Sequence, residues 1–242
     1  MSTNLVLISG ALSKHELRYT PKGTPVLEVA LVGKRTVGGN ALFFRADLTF
    51  YGKLAEHWAE QLVEGQAYQA MGRLAYESWE ADGVKNSRLR LVGEELFKLE
   101  NADVRQEEKG PVLFGAENRV IVSGGLTADP EIRQTSQKTP VARAGLGFSS
   151  WEAGQAKNHY LELEAWRELA VSFAGLKKGS QVLLEGSLKT EVWEDKETKT
   201  KRYKRVLEVQ RVTSLARIRT LEQSPREPAP KSGKAKAKSK AA

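Results

Sequence analysis

The chain writes one short segment twice. Asn4-Leu-Val-Leu-Ile-Ser-Gly-Ala-Leu12 returns as Asn118-Arg-Val-Ile-Val-Ser-Gly-Gly-Leu126, 114 residues further on. Solenoid repeats have periods of roughly 20–50 residues. A period of 114 is the size of a small domain, so the 242 residues hold one folding unit in two copies. The correspondence continues at nearly constant offset. Thr24-Pro25-Val26 recurs as Thr139-Pro140-Val141, Leu54-Ala55 as Leu169-Ala170, Gly72 as Gly186, and Glu77-Ser-Trp79-Glu80 as Glu191-Val-Trp193-Glu194.

Within the first copy the apolar pattern reads as five strands and a helix. Leu5 to Leu12 is a buried strand, Leu17 to Pro25 a polar connection, Val26 to Lys34 a second strand, Lys34 to Asn40 a hairpin tip, and Ala41 to Tyr51 a third strand. Apolar residues at 54, 55, 58, 59 and 62 predict a helix over Leu54 to Val63, closed by Gly65. Strand patterns resume from Gln66 to Glu80, turn at Ala81-Asp-Gly83, and finish with Asn86 to Leu99. That order, in about 100 residues, predicts an OB-fold: a five-stranded Greek-key barrel whose one face binds oligonucleotides or oligosaccharides. The fold class is therefore all-β with one short helix per domain, as two tandem OB-folds over residues 1–100 and 118–221. A polar stretch, 101–117, containing Gly110-Pro111, reads as a linker, and the Pro- and Lys-rich residues 222–242 as a disordered basic tail.

Composition removes whole classes of function. The absence of cysteine excludes disulfides, thiolate chemistry, zinc knuckles and iron–sulfur clusters. His15, His57 and His159 fall in different elements without a nucleophile motif, no glycine-rich loop ends in Gly-Lys-Ser/Thr, and no carboxylate cluster has metal-ligand spacing. Neither catalysis nor a cofactor nor a metal is expected. No apolar run approaches the roughly 18 residues of a spanning helix, and no leader pattern precedes the first strand, so the cytoplasm is the expected compartment. The net charge of +8 is uneven: residues 1–110 carry −1, 111–221 carry +5 and 222–242 carry +4, a balance that favours a polyanionic partner.

Strand parity picks out where such a partner would lie. In the fourth strand of the second copy, Val182, Leu184, Gly186, Leu188 and Val192 share one face, leaving Lys189, Glu191 and Trp193 on the other. Trp79 shares that parity in the first copy, beside Arg73. In the third strands Ala46, Leu48 and Phe50, and Leu161, Leu163 and Ala165, point inward. Arg45, Asp47, Thr49 and Tyr51, and Tyr160, Glu162, Glu164 and Trp166, point outward. Aromatics on a wet face suit an unpaired nucleic acid, because every base offers a π-face to stack and nearby cations neutralise phosphates. Arg143 joins this face. Gly145 and Gly147 beside it mark either barrel bends or a close ligand approach. Trp151 sits at a hairpin tip, and Tyr203 lies in a cationic hairpin with Lys201, Arg202, Lys204 and Arg205. Arg18 and Tyr19 follow the first strand and complete the candidate set. Phe44 and His159 have inward parity and read as core.

These segments resemble a family. Asn4 to Leu12, Glu16-Leu-Arg-Tyr-Thr-Pro-Lys-Gly-Thr-Pro-Val26, Tyr51-Gly-Lys-Leu-Ala-Glu56, Gly72-Arg-Leu with Trp79, His159-Tyr-Leu-Glu-Leu-Glu-Ala-Trp-Arg-Glu-Leu-Ala170 and Gly186-Ser-Leu with Trp193 are similar to bacterial single-stranded DNA-binding proteins, in the two-domain form of the Deinococcus and Thermus lineage. The resemblance implies sequence-independent binding and protection of single-stranded DNA, a homodimer presenting four OB-folds, and base stacking on Tyr51, Trp79, Trp166 and Trp193. An assembly platform built on the aromatic faces, or a single-stranded RNA binder, is the alternative reading. Two departures stand out. The acidic, Phe-terminated tip through which the family recruits proteins is replaced by Lys-Ala repeats, which leaves protein partners unknown, and Arg45 stands where relatives carry an aromatic.

Overall fold

A computed structural model of the chain describes residues 2–81, 84–152, 155–194 and 201–215; the tail lies outside the described residues. The first copy folds as β1 (Asn4–Tyr19), β2 (Pro25–Val37), β3 (Asn40–Tyr51), α1 (Lys53–Ala59), β4 (Ala67–Ala81) and β5 (Val84–Lys98). Two short strands follow, β6 (Val104–Glu107) and β7 (Gly110–Phe114). The second copy comprises β8 (Asn118–Leu126), β9 (Glu131–Gln134), β10 (Pro140–Glu152), β11 (Gln155–Trp166), α2 (Glu168–Ala174), β12 (Gln181–Glu194) and β13 (Lys201–Ser214). The order β2-β3-β5-β4-β1 closes through a β1–β2 pairing, and β8-β12-β13-β11-β10 closes through β8–β10, giving two barrels. In each, one parallel pair, β3–β5 or β11–β13, completes the Greek key.

Alternation drives this closure. Val6, Ile8, Leu27, Leu31, Leu48, Phe50 and Leu74 are sealed inside the first barrel, and Val120, Val122, Leu161, Leu163, Val182, Leu184 and Leu207 inside the second. The recurring glycine of the fourth strand has a steric cause. A Cβ on Gly72 would stand 2.0 Å from the carbonyl oxygen of Val92, and one on Gly186 would stand 2.2 Å from that of Glu208. At both sites the neighbouring strand bulges toward the glycine.

The opening asparagine of each copy has equally specific work. Asn118 donates from Nδ2 to the Leu188 carbonyl at 2.8 Å and accepts from the Leu188 N–H at 3.0 Å; Asn4 does the same to Leu74, both at 2.9 Å. Each side-chain amide thus stands in for a further ladder residue.

The two copies of the repeated segment are also partners of one another. β1 and β8 pair antiparallel from Asn4↔Val122 to Ile8↔Asn118. The ends are tied symmetrically: Ser9 Oγ accepts from Glu117 N at 2.7 Å, and Ser123 Oγ from Thr3 N at 2.7 Å. Beyond the ladder each barrel lays its long hairpin on the other. Arg35 of β2 donates to Ser187 Oγ at 2.5 Å, and His159 of β11 accepts at Nδ1 from the Tyr76 N–H at 2.9 Å.

Several expectations are corrected. The polar connection read from Leu17 begins only at Thr20, because β1 runs to Tyr19 through a bulge at Ser13. The second barrel breaks the equivalent strand into β8 and β9, where Pro130 offers no N–H to a ladder. The helix ends at Ala59, short of Val63. The linker is folded: β6 and β7 form a hairpin, and β7 joins the edge of β2 through Gly33↔Leu113 and Lys34↔Phe114. Val112, Leu113 and Ala116 supply the apolar side that this hairpin buries.

Candidate nucleic-acid interface

On the second barrel, the outward row of β11 carries Tyr160, Glu162, Glu164 and Trp166, with Arg143 on β10 opposite Glu164. Glu164 departs from expectation: its parity is outward, yet its side chain is 1% exposed. Its neighbours cover it. Arg143 donates from Nε and Nη2 to Oε1 at 3.0 and 2.7 Å, the Trp166 indole donates to Oε2 at 3.0 Å, and the Lys189 ammonium pairs with Oε2. Burial alone would push this carboxyl up, but the hydrogen bonds from Lys189 and Arg143 outweigh it and hold the group below the usual carboxylate range. The sunken carboxylate therefore grips the half-buried indole by its edge. Lys189 Nζ stands 5.6 Å from the ring centroid.

The first barrel builds the same place from different residues. Thr49, opposite Glu28, takes the position of Glu164, opposite Arg143, and Tyr51 takes that of Trp166. Its cation comes from β5, where Arg90 donates to the Tyr51 hydroxyl at 2.7 Å and pairs with Glu77 at 3.1 Å. Arg90 was not among the sequence candidates. The available signal is its register: it faces Ala75, the counterpart of Lys189, so each barrel puts one cation in this cross-strand pair, on β5 in the first and on β12 in the second.

The remaining candidates separate by what they touch. Tyr160, Tyr203, Trp151 and Tyr19 are exposed, Trp151 at 75%. A side chain at Gly145 would strike Thr127 Oγ1 at 2.4 Å and the Tyr160 ring at 2.6 Å, so this glycine makes room for Tyr160. Gly147 lies on the β8–β10 closing seam. Most cations already hold carboxylates: Arg18 with Glu28, Arg45 with Asp47 at 2.9 Å, Arg73 with Glu94 at 3.0 Å, and Lys204 with Glu162. Arg205 is turned into the barrel–barrel contact, donating to the carbonyls of Leu89 at 2.8 Å and Asp47 at 3.3 Å. His159 is buried against Phe148, and Phe44 is partly buried against the core. The backbones of Trp79, Trp193, Lys201 and Arg202 lie on β4, β12 and β13, and their side chains lie outside the described residues.

Between the barrels the outward faces meet in a groove of about 660 Å³, lined by Arg45, Tyr76 and Arg88 on one side and Tyr160, Tyr203 and Lys204 on the other. Tyr76 was missed by sequence reasoning because its partner in the second copy, Thr190, is not aromatic.

Two closed five-stranded barrels bearing exposed aromatics amid cations define a tandem OB-fold binding protein. The description "Single-strand binding protein family" matches residues 3–99 and again 117–215, and the chain belongs to that family, one of binding proteins, not enzymes. Single-stranded DNA-binding proteins from Thermus aquaticus and Deinococcus radiodurans are 36% identical over 202 residues and 35% identical over 229 residues, covering 78% and 88% of this chain and 76% of each relative. The crystal structure of the wild-type Thermus aquaticus protein superposes with a TM-score of 0.73 at 32% identity, covering 89% of this chain and 94% of that one.

Proposed function

We propose that the chain binds single-stranded DNA without regard to sequence and shields it during replication, recombination or repair. The observation that carries this reading is the Trp166 arrangement: an indole held by its edge on Glu164 on the barrel's outward face, with Lys189 and Arg143 gathered around the same carboxylate. Each stacked base contributes about 1–3 kcal/mol and needs no particular identity. The second barrel is the stronger site, since Arg143, Lys189 and Trp166 stand where the first has Glu28, Ala75 and Tyr51. Two chains associate to present four barrels, and the Lys-rich tail adds phosphate contacts.

Titration of the tryptophan fluorescence with poly(dT) at low salt tests the reading, with native mass measurement for the assembly. Quenching that weakens with salt is expected. No quenching at low salt overturns it. Replacing Trp166 by Ala should lower affinity about tenfold, and Tyr51→Ala by less.

A further inference from the structure

Four side chains from four strands form an alternating row on the side of the first barrel. Phe43 of β3 lies directly across from Lys34 of β2, which lies across from Phe114 of β7, and Arg105 of β6 also lies over the Phe114 ring. Lys34 Nζ stands 4.6 Å from the Phe43 ring centroid and 4.4 Å from that of Phe114, while the Arg105 guanidinium carbon is 4.1 Å from the Phe114 centroid. The two cations differ in use. Arg105 is held in two contacts by Asp103, at 2.9 and 2.7 Å, whereas Lys34 forms no ion pair among the described residues. The two rings differ as well, for Phe43 is 57% exposed and Phe114 is partly covered.

We infer that this aromatic–cation row is a further single-stranded DNA contact, which carries the strand off the first barrel and onto the folded linker. The inference rests on the function proposed above. Phe43 has the same parity as Arg45, Asp47 and Tyr51, and the β2–β3 register runs without a break from Val26↔Tyr51 to Val37↔Asn40, so the row continues the barrel's outward face. Phe43 lies about 26 Å along the strand from Tyr51. An exposed ring next to an unpaired ammonium matches the repeating chemistry of the ligand, a base face followed by a phosphate. The second barrel has no equivalent, since Asn158 and Ser149 occupy the places of Phe43 and Lys34. The barrel with the poorer face thus has the longer track.

The test compares wild type, Phe43→Ala and Phe43→Ala/Lys34→Gln for affinity, site size and salt dependence on poly(dT), with photocrosslinking to an iodouracil-substituted oligodeoxynucleotide and native mass. Phe43 is exposed, so the variants should fold, which circular dichroism melting checks. A loss of about 5- to 50-fold in affinity, a smaller site size, a salt slope reduced by about 0.7 in the double variant, and a crosslink at Phe43 or Phe114 are expected. Wild-type binding with unchanged variants and no such crosslink overturns the inference alone. A change in subunit number with unchanged binding per barrel overturns it too, by making the row a contact between copies. Failure of the wild type to bind poly(dT) removes the underlying function instead.

Discussion

Val6 and Val120 are direct cross-strand partners in the β1–β8 ladder, and each is also the other's counterpart in the internal repeat. A local twofold axis therefore passes between them, and the two copies of one segment form an isologous contact inside a single chain. Both valines are sealed from solvent, at 1% and 0% exposure.

A first barrel expressed without the second would expose the Asn4 to Ile8 edge of β1, an unpaired row of N–H and C=O groups next to apolar side chains. Symmetry makes that edge complementary to itself. A fragment of residues 1–116 should dimerise through β1–β1 pairing centred on Val6, with sedimentation velocity as the readout. A monomeric fragment would show that β1 needs the β8 sequence.

The repeat was legible in the sequence because each copy needs the same atoms: Asn4 and Asn118 to cap Leu74 and Leu188, Ser9 and Ser123 to cap the interface ladder, Gly72 and Gly186 to admit a bulge. Strand parity likewise put Tyr51 and Trp166 in the outward row of their strands. It failed at Glu164, where burial depends on Arg143, Lys189 and Trp166 from three strands closing over one carboxylate. Parity reports direction, not depth. The linker hairpin was hidden for a related reason, because β6 is polar, both strands are only four or five residues long, and β7 acquires its order from the edge of β2.

Glu164 gives the second barrel an acid-sensitive component. Its carboxyl is opposed by burial but held down by hydrogen bonds from Lys189 and Arg143, so the folded state binds that proton less readily than the unfolded chain. The associated stability is fully present above the unfolded glutamate value, about 4.3, and is lost as pH falls through the lower folded value. Glu164→Gln should cost about 1–3 kcal/mol at neutral pH, less than a fully buried pair because Arg143 is 56% exposed. Urea unfolding of both proteins between pH 3 and pH 7 checks this. The difference between them should shrink at the acid end, and a constant difference would remove the ionic explanation.

Arg205 and Lys204 are adjacent in sequence but should behave oppositely. Arg205 is tied to the Leu89 and Asp47 carbonyls across the barrel contact, whereas Lys204 lines the groove and pairs with Glu162. Arg205→Ala should destabilise the chain by about 1–3 kcal/mol while leaving the salt slope of binding nearly unchanged. Lys204→Ala should hardly alter stability and should reduce the slope by about 0.7. Equal slopes for both variants would mean that Lys204 stays with its carboxylate when DNA is bound.

Arg167 holds a conformation that the first copy assigns to glycine. Its φ is 57°, against 64° at Gly52, and the two N–H groups donate to equivalent prolines, Arg167 to Pro140 at 2.8 Å and Gly52 to Pro25 at 2.9 Å. With ψ at −130°, this positive-φ conformation costs an ordinary residue about 1–3 kcal/mol, and glycine avoids that cost while losing about 0.5–1 kcal/mol of chain entropy. Arg167→Gly should therefore stabilise the second barrel by about 0.5 kcal/mol. The strained arginine follows Trp166 directly, is exposed, and forms no ion pair among the described residues, so under the proposed function it is expected to meet a phosphate. The same substitution should weaken poly(dT) binding several-fold and lower the salt slope. A variant that gains stability without losing affinity would make Arg167 a tolerated flaw in the second copy; one that loses stability would show that the turn needs the arginine side chain.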